Sequence, residues 1–193
     1  LCLVACSTKG GQLSQGENGK NQSNNSSSDD KAVEKDIEDK IKSMGGQFFF
    51  LNSILTLDIY DDGLDNAKIN QEVEDRVRDL ENKLSTKIAT SEVSIINDNA
   101  GIKKVKVSDD TFTVIKEAIK YRDISAGKFD ITVGNLVDLW GIGTENEKVP
   151  TKDEIEKSLK TIDYKKIEID DKDKTVFLKE KGMKIDLGAI AKG

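Results

Sequence analysis

One segment of the chain places an acid, a hydroxyl and several glycines close together. Residues 127–143 include Asp130 and Thr132, glycines at both ends, and the only tryptophan of the protein, Trp140. Glycine has no side chain, so glycine-rich backbone can approach a ligand closely. If the stretch is extended, Asp130 and Thr132 share a face. The residue types equally allow a glycine-rich corner around a core tryptophan, and both interpretations stay open.

A second segment, residues 186–193, combines an acid, small residues and a lysine. The pattern predicts a short strand over residues 185–187, then a small-residue turn at Gly188 that opens a helix. Free amides at the start of a helix favour anions such as phosphate, and Lys192 would add a positive charge. The spacing does not match a Walker A loop. A turn with a purely structural role fits the same residues.

Composition excludes several classes of function. The chain has no histidine, which excludes histidine-based triads, histidine-ligated zinc and imidazole acid–base catalysis. The net charge of −6 argues against nucleic acid as a partner, because phosphates need a basic face. Both cysteines, Cys2 and Cys6, lie at the N-terminus, so the folded part has no disulfide. Catalysis is left to carboxylates, hydroxyls, lysines, backbone groups or a metal.

The N-terminus predicts a lipid anchor. Residues 3–6 read Leu-Val-Ala-Cys and resemble a lipobox, which implies cleavage before Cys6 and a diacylglyceryl group on its sulfur. Residues 7–30 are almost entirely polar and predict a disordered tether. No stretch is long enough for a transmembrane helix. We therefore expect a lipid-anchored protein on the extracytoplasmic side of the cell membrane; a stray apolar N-terminus is the alternative.

Hydrophobic periodicity in the rest of the chain alternates between helix and strand patterns. The mixture predicts an α+β fold with antiparallel strands. Expected strands lie at residues 48–51, 55–59 and 105–107, and a hairpin joins residues 167–169 to 176–178. Expected helices lie at residues 31–43, 66–85 and 91–97, from 108 or 109 to 127, and behind a capping box that starts at Thr151.

In their order along the chain, these segments resemble the ApbE family of FAD:protein FMN transferases. The resemblance covers roughly residues 48–193 and implies an ApbE-like, T-fold-related architecture with mixed or antiparallel sheets and packed helices. Together with the N-terminal pattern, it divides the chain into a signal-peptide remnant and lipobox at 1–6, a disordered polar tether at 7–30 and the N-terminal part of an ApbE-like flavin transferase domain at 31–193, which is expected to continue beyond Gly193. The matching pieces are residues 51–53, 84–85, 91–97, 127–143 and 186–193.

The resemblance also implies a chemistry. Such enzymes split FAD at its pyrophosphate, transfer FMN to a threonine hydroxyl of an acceptor flavoprotein and release AMP, with Mg²⁺ neutralising the phosphates. The acceptors would be flavin-bearing subunits of respiratory redox complexes, and the catalytic residues would lie beyond Gly193. The backbone carbonyl of Ala189 matches a metal ligand. The positions that match FAD contacts are Leu51, Asn52, Lys128, Phe129, Asp130, Asp186 and Lys192.

Two other functions remain open at this stage. Water could replace the acceptor hydroxyl, which would make the protein an FAD pyrophosphatase that yields FMN and AMP. Lys87 stands where many family members carry an aromatic residue, so the flavin could be held differently. The third alternative is a non-catalytic, lipid-anchored flavin-binding protein.

Overall fold

The computed structural model describes residues 3–6, 45–50, 53–61 and 63–192. The chain divides into two compact units, residues 1–78 and 79–193. The predicted tether at 7–30 and the predicted helix at 31–43 lie outside the described residues. None of the helices in the described part is long and apolar enough to span a membrane.

The first unit contains a three-stranded antiparallel sheet. Its central strand is flanked by the other two, in the order β1-β3-β2. Leu55, Leu57 and Ile59 are buried while their neighbours are more exposed, which confirms the predicted alternation. The strands are β1 (Leu3–Cys6), β2 (Gly46–Phe50) and β3 (Ser53–Asp58).

Helix α1 (Asn66–Leu84) confirms the long amphipathic helix predicted from residue 66. It begins in the first unit and ends in the second. There Leu84 is buried in the hydrophobic core and Leu80 packs against it. The last two apolar residues of the recurring pattern, Leu80 and Leu84, therefore mark the face of the helix that packs into this core.

The second unit combines short helices with a small antiparallel sheet of order β4-β6-β5. The predicted hairpin is confirmed as β5 paired with β6. The strands are β4 (Val105–Lys106), β5 (Ile167–Asp170) and β6 (Thr175–Leu178). The helices are α2 (Glu92–Asp98), α3 (Asp109–Ile124), α4 (Gly134–Trp140), α5 (Lys152–Leu159) and a 3₁₀ turn, Tyr164–Lys166.

Three hydroxyl side chains fix the helix starts that the sequence predicts. Ser91 caps α2, Ser108 caps α3, and each accepts a hydrogen bond from a backbone amide of the first turn. Thr151 and Glu154 form the expected reciprocal capping box at α5. Each cap satisfies an amide that would otherwise lack a partner, which is worth about 1 kcal/mol.

The core of the second unit packs α2 and α3 with the sheet and with residues 183–187. Ile185 and Leu187 are buried, and Ile131 lies in the same cluster. Both chemically interesting segments are therefore anchored in one core. The most deeply buried members include Val93, Ile96, Phe112, Ile115, Val176 and Leu178.

The structure corrects the prediction for the end of the chain. Residues 185–187 do not form a strand: a single parallel bridge joins Val133 to Lys184, and the backbone around it turns too soon for a ladder. Residues 188–192 form turns and not a helix. The amide of Ile190 donates to the carbonyl of Leu187 three residues earlier and that of Ala191 to the same carbonyl four residues earlier, so the described residues contain a single bond of the α-helical kind.

Helix α4 is a second difference from the predictions, because the sequence suggested only a glycine-rich corner at this point. The helix contains the half-buried Trp140 and ends at Gly141, which adopts a left-handed conformation with φ of 57°. A helix of seven residues that begins with a glycine and is followed by another is too short to show a clear helical period. Residues 134–143 thus contain both a short helix and the glycine-rich turn that follows it.

Candidate functional site

The carboxylate of Asp130 organises a tight turn. Its Oδ1 accepts hydrogen bonds from the amide of Thr132 at 2.8 Å and from the Thr132 hydroxyl at 2.7 Å. Its Oδ2 accepts from the backbone amide of Tyr164 at 3.3 Å. The acid and the hydroxyl therefore meet, through a turn and not on the face of an extended strand. Since Thr132 is completely buried, the turn is fixed from inside the protein.

Phe129 is held by the end of helix α3. The Ser125 hydroxyl donates to the carbonyl of Arg122 and accepts from the amide of Phe129, both at 3.0 Å. Gly127 makes the reversal possible with a φ of 81°, which side chains disfavour. The Phe129 side chain packs partly against the core, while the neighbouring Lys128 is exposed.

The second segment is tied directly to the first. The amide of Asp186 donates to the carbonyl of Ile131 at 2.8 Å. The backbone of Ile185, the residue before Asp186, forms two hydrogen bonds with the side chain of Asn97, at 2.8 and 3.0 Å. The Asp186 carboxylate accepts from the amide of Gly188 at 2.8 Å, which starts the final turn. This turn carries Ala189 to the surface.

An open, largely apolar cleft of about 440 Å³ brings the two segments together. Phe129 from the first segment and Ala189 from the second both line it. Its walls are otherwise aliphatic, aromatic and hydroxyl groups, an environment suited to a flat, weakly polar part of a ligand. The lining residues are Tyr121, Ile124, Ser125, Phe129, Ala189 and Ile190.

A smaller polar hollow of about 90 Å³ lies beside Asp186. Asp138, on its edge, pairs with Lys184 at 2.9 Å and with Lys87 at 3.6 Å. Lys87, at the position expected to differ from many relatives, is therefore engaged in an exposed ion pair with α4. The lining residues are Thr86, Ser94, Asn97, Asp98, Gly134, Asp138, Lys184, Ile185 and Asp186.

The oxygens near Ala189 are of the kind that Mg²⁺ prefers, since the turn offers a backbone carbonyl and the nearby Asp186 a carboxylate. Within the described residues, no group of three or more acidic, cysteine or histidine side chains could hold a metal ion. These donors do not form a closed metal site. They suit a cation that takes its other ligands from substrate phosphates and water.

Five of the predicted site residues fall into two adjoining groups. Phe129 and Asp130 form one, with Lys128 exposed at its edge, and Asp186 and Ala189 form the other. Lys192 is exposed at the end of the final turn. Leu51 and Asn52 lie outside the described residues, so their predicted FAD contacts stay predictions.

Sequence reasoning missed three residues that support the site. Tyr164 reaches Asp130 through its backbone amide, an interaction that no side-chain pattern announces. Ser125 follows a helix end, where a hydroxyl has many ordinary uses. Asn97 could have been found, since it closes the 91–97 segment on which the resemblance partly rests.

The chain combines an α+β fold with two adjoining segments that line one cleft. The chain belongs to the ApbE family, and the family match covers residues 51–193. A Haemophilus influenzae relative named FAD:protein FMN transferase is 32% identical over 164 residues, covering 81% of this chain and 47% of the relative. A Klebsiella pneumoniae protein of the same name is 35% identical over 117 residues, covering 61% of this chain and 37% of the relative.

Solved structures support the same assignment. The ApbE protein of Thermotoga maritima superposes with a TM-score of 0.71 at 34% identity, covering 77% of this chain and 48% of that one. The flavin transferase ApbE of Vibrio cholerae gives 0.69 at 27% identity, with 77% and 48% covered. These neighbours confirm the predicted fold class. The chain spans less than half the length of each of these four proteins.

Proposed function

We propose that the full-length protein transfers the FMN part of FAD to a threonine hydroxyl of an acceptor flavoprotein. The observation that carries the proposal is the joining of the Phe129–Asp130 segment to the Asp186–Ala189 segment around one cleft. These are the segments that carry the family resemblance. The relatives' printed names supply the reaction class.

The proposed reaction balances as a phosphoryl transfer. The acceptor hydroxyl oxygen attacks the phosphorus on the riboflavin side of FAD, and the bond from that phosphorus to the bridging oxygen breaks. AMP leaves with the bridging oxygen, the threonine carries FMN as a phosphodiester, and the hydroxyl proton is released. Mg²⁺, when bound with the diphosphate, would neutralise its charge, with the Ala189 carbonyl as one ligand.

This chain's residues would contribute binding and orientation. The apolar cleft lined by Phe129 would take a ring system of FAD away from water, and the Asp130 carboxylate would accept a hydrogen bond from the ligand. Lys128 and Lys192, both exposed, would meet the phosphates as point charges. None of these groups needs to act as a base, and their proposed roles are binding and orientation alone.

The test is incubation of full-length protein with FAD, Mg²⁺ and a candidate acceptor, a flavin-bearing subunit of a respiratory redox complex. We expect the intact mass of the acceptor to rise by one FMN phosphodiester and one AMP to appear per adduct. An acceptor with threonine replaced by valine is the matched control. Release of free FMN and AMP with no adduct would contradict transfer and indicate a pyrophosphatase; FAD bound but unchanged would indicate a binding protein.

We further propose that the protein is anchored to the cell membrane through a lipid on Cys6 and faces outward. The support is the lipobox-like run at residues 3–6 followed by a polar stretch. Leu3–Cys6 pairs with β3, and cleavage before Cys6 would remove three of its four residues from that sheet. In the full precursor, Cys6→Ser should abolish acyl mass and shift the protein out of the membrane fraction. Unchanged acylation of that variant would refute the anchor.

A further inference from the structure

We infer that Thr132 and Tyr164 are positioning residues, which fix Asp130 so that its carboxylate offers a ligand one acceptor position, on Oδ2. The inference rests on the proposed function, in which FAD occupies the neighbouring cleft. Thr132 and Tyr164 are not among the residues proposed to contact FAD. By fixing the carboxylate of Asp130, they determine which kind of FAD group it can bind.

The geometry around Asp130 limits what its carboxylate can do. A carboxylate oxygen accepts about two hydrogen bonds, and Oδ1 already receives two from Thr132. Among the described residues, Oδ2 receives one, from the amide of Tyr164. The remaining acceptor position therefore suits one N–H or O–H donor. Diphosphate oxygens carry no such hydrogen at neutral pH, so Asp130 would recognise a hydroxyl, the adenine amino group or the ring N–H of the flavin and not the phosphates.

Thr132 would affect a ligand only indirectly, through Asp130. Its side chain has no exposed surface, so it cannot touch FAD while the turn is intact. Its amide and hydroxyl hold Oδ1 from two directions, which fixes the rotation of the carboxylate. Loss of the hydroxyl would let that rotation relax and would free an acceptor on Oδ1.

Tyr164 controls the other oxygen through its backbone. Its amide points at Oδ2, and its ring is held against the guanidinium of Arg122, with the central carbon 3.4 Å from the ring centroid. Stacking of this kind favours a fixed ring and therefore a fixed 3₁₀ turn. The backbone carbonyl of the same arginine accepts from Ser125, which holds Phe129. One stack thus supports both residues of the Phe129–Asp130 pair.

The experiment compares two disruptive variants with two matched controls in the full-length protein. Thr132→Val removes the hydroxyl at nearly constant volume, whereas Thr132→Ser keeps it. Tyr164→Ala removes the stacked ring, whereas Tyr164→Phe keeps it. We measure the dissociation constant of FAD by calorimetry, KM and kcat of FMN transfer, and thermal melts for the folded fraction.

If the carboxylate of Asp130 loses its fixed orientation, it should bind FAD more weakly, and by the same amount in the ground state and in the transition state. Thr132→Val and Tyr164→Ala should each raise the dissociation constant and KM about tenfold, the scale of a lost hydrogen bond to a charged group. The kcat of the folded fraction should stay near that of wild type. Thr132→Ser and Tyr164→Phe should restore wild-type binding to within about twofold, well below that scale.

Two results would overturn the inference. In the first, Thr132→Val and Tyr164→Ala keep the wild-type KM and dissociation constant, and their activity falls only as the folded fraction falls. That result would indicate a purely structural role. In the second, Thr132→Ser and Tyr164→Phe bind FAD as weakly as their disruptive partners. If wild type binds FAD but transfers nothing, the proposed function fails alone, and the dissociation constants still decide the inference. A wild type that does not bind FAD refutes both.

Discussion

The two segments of the site are built in opposite ways. The Asp130 turn is closed on itself: its acid has three internal hydrogen bonds, and its hydroxyl partner Thr132 is buried. The turn after Asp186 is open, with exposed small residues and one short side-chain bond to Gly188. The difference indicates a division of labour. In the proposed function, the closed segment would fix the position of a ligand group, and the open segment would leave room for phosphates and a cation to approach the backbone.

The largest expected effect comes from removing the acid of the closed segment. Asp130→Ala leaves the Thr132 hydroxyl and the Thr132 and Tyr164 amides without their acceptor, and buried donors without partners cost roughly 1–3 kcal/mol each. Because part of that cost is relieved by relaxation and water, we expect a loss of about 3 kcal/mol in the free energy of unfolding, measured by urea denaturation.

Asp130→Asn is the control for this prediction. Asparagine keeps an acceptor for Thr132 but turns an N–H toward the Tyr164 amide, so the loss should be about 1 kcal/mol. Equal stability of Asp130→Ala and wild type would show that the closed segment does not depend on its acid.

The second-largest expected effect comes from substituting one glycine in each segment, Gly134 in the first and Gly188 in the second. A Cβ at Gly134 would lie 2.9 Å from the carbonyl oxygen and the Cβ of Lys184, so backbone must move. A Cβ at Gly188 would meet only the side-chain oxygen of Asp186, at 3.0 Å. We expect Gly134→Ala to cost about 2 kcal/mol of unfolding free energy, as overpacking does, and Gly188→Ala less than about 1 kcal/mol. The reverse order in denaturation midpoints would contradict the assignment of closed and open segments.

A third prediction addresses the open segment. Ala189 is exposed, so Ala189→Val should change the free energy of unfolding by no more than about 0.5 kcal/mol. A β-branched side chain would nevertheless restrict the turn and crowd the backbone carbonyl proposed as a metal ligand. We expect the rate of FMN transfer to fall about tenfold, which is about 1.4 kcal/mol in the activation barrier.

Ala189→Gly, which keeps the carbonyl and the space, is the control for this change. It should retain most of the transfer activity. A folded Ala189→Val protein with the wild-type rate and Mg²⁺ dependence would remove Ala189 from the proposed metal site.

The smallest effect should arise outside both segments, at the capping box of α5. The ammonium of Lys148, with the amide and hydroxyl of Thr151, lowers the pKa of Glu154 from 4.5 to about 2. A depressed carboxyl pKa stabilises the fold above pH 4.5, and that contribution is lost as the pH falls toward 2. In Glu154→Gln, the difference in melting temperature from wild type should shrink over this range. A difference independent of pH would show that the ion pair does not contribute.

Local patterns predicted most of the fold. The caps at Ser91, Ser108 and Thr151, the long helix α1 and the β5–β6 hairpin each depend on residues near one another in sequence, so their signals are visible there. Helix α4 was missed because it has only seven residues, begins with Gly134 and is followed by Gly141. The expected strand at 185–187 was wrong because its backbone bonds to the Asn97 side chain and to a turn at Ile131 in place of a neighbouring strand, which a sequence pattern does not reveal.

The site was predicted by motif and corrected by geometry. Asp130, Phe129, Asp186 and Ala189 were proposed as site residues from the family resemblance, and the structure brings them to adjoining turns. Their supports were not foreseen, since Tyr164 acts through a backbone amide 34 residues from Asp130. Backbone donors carry no residue-type signature, and only the folded chain shows where they point.

The most direct test of the central claim is a structure of the full-length protein with FAD bound. The account predicts an N–H or O–H of FAD within about 3.2 Å of Asp130 Oδ2, with Oδ1 still bound to Thr132 and a ring of FAD against Phe129. FAD placed away from the cleft, or an Asp130 carboxylate turned from Thr132 toward a metal ion or the diphosphate, would contradict it.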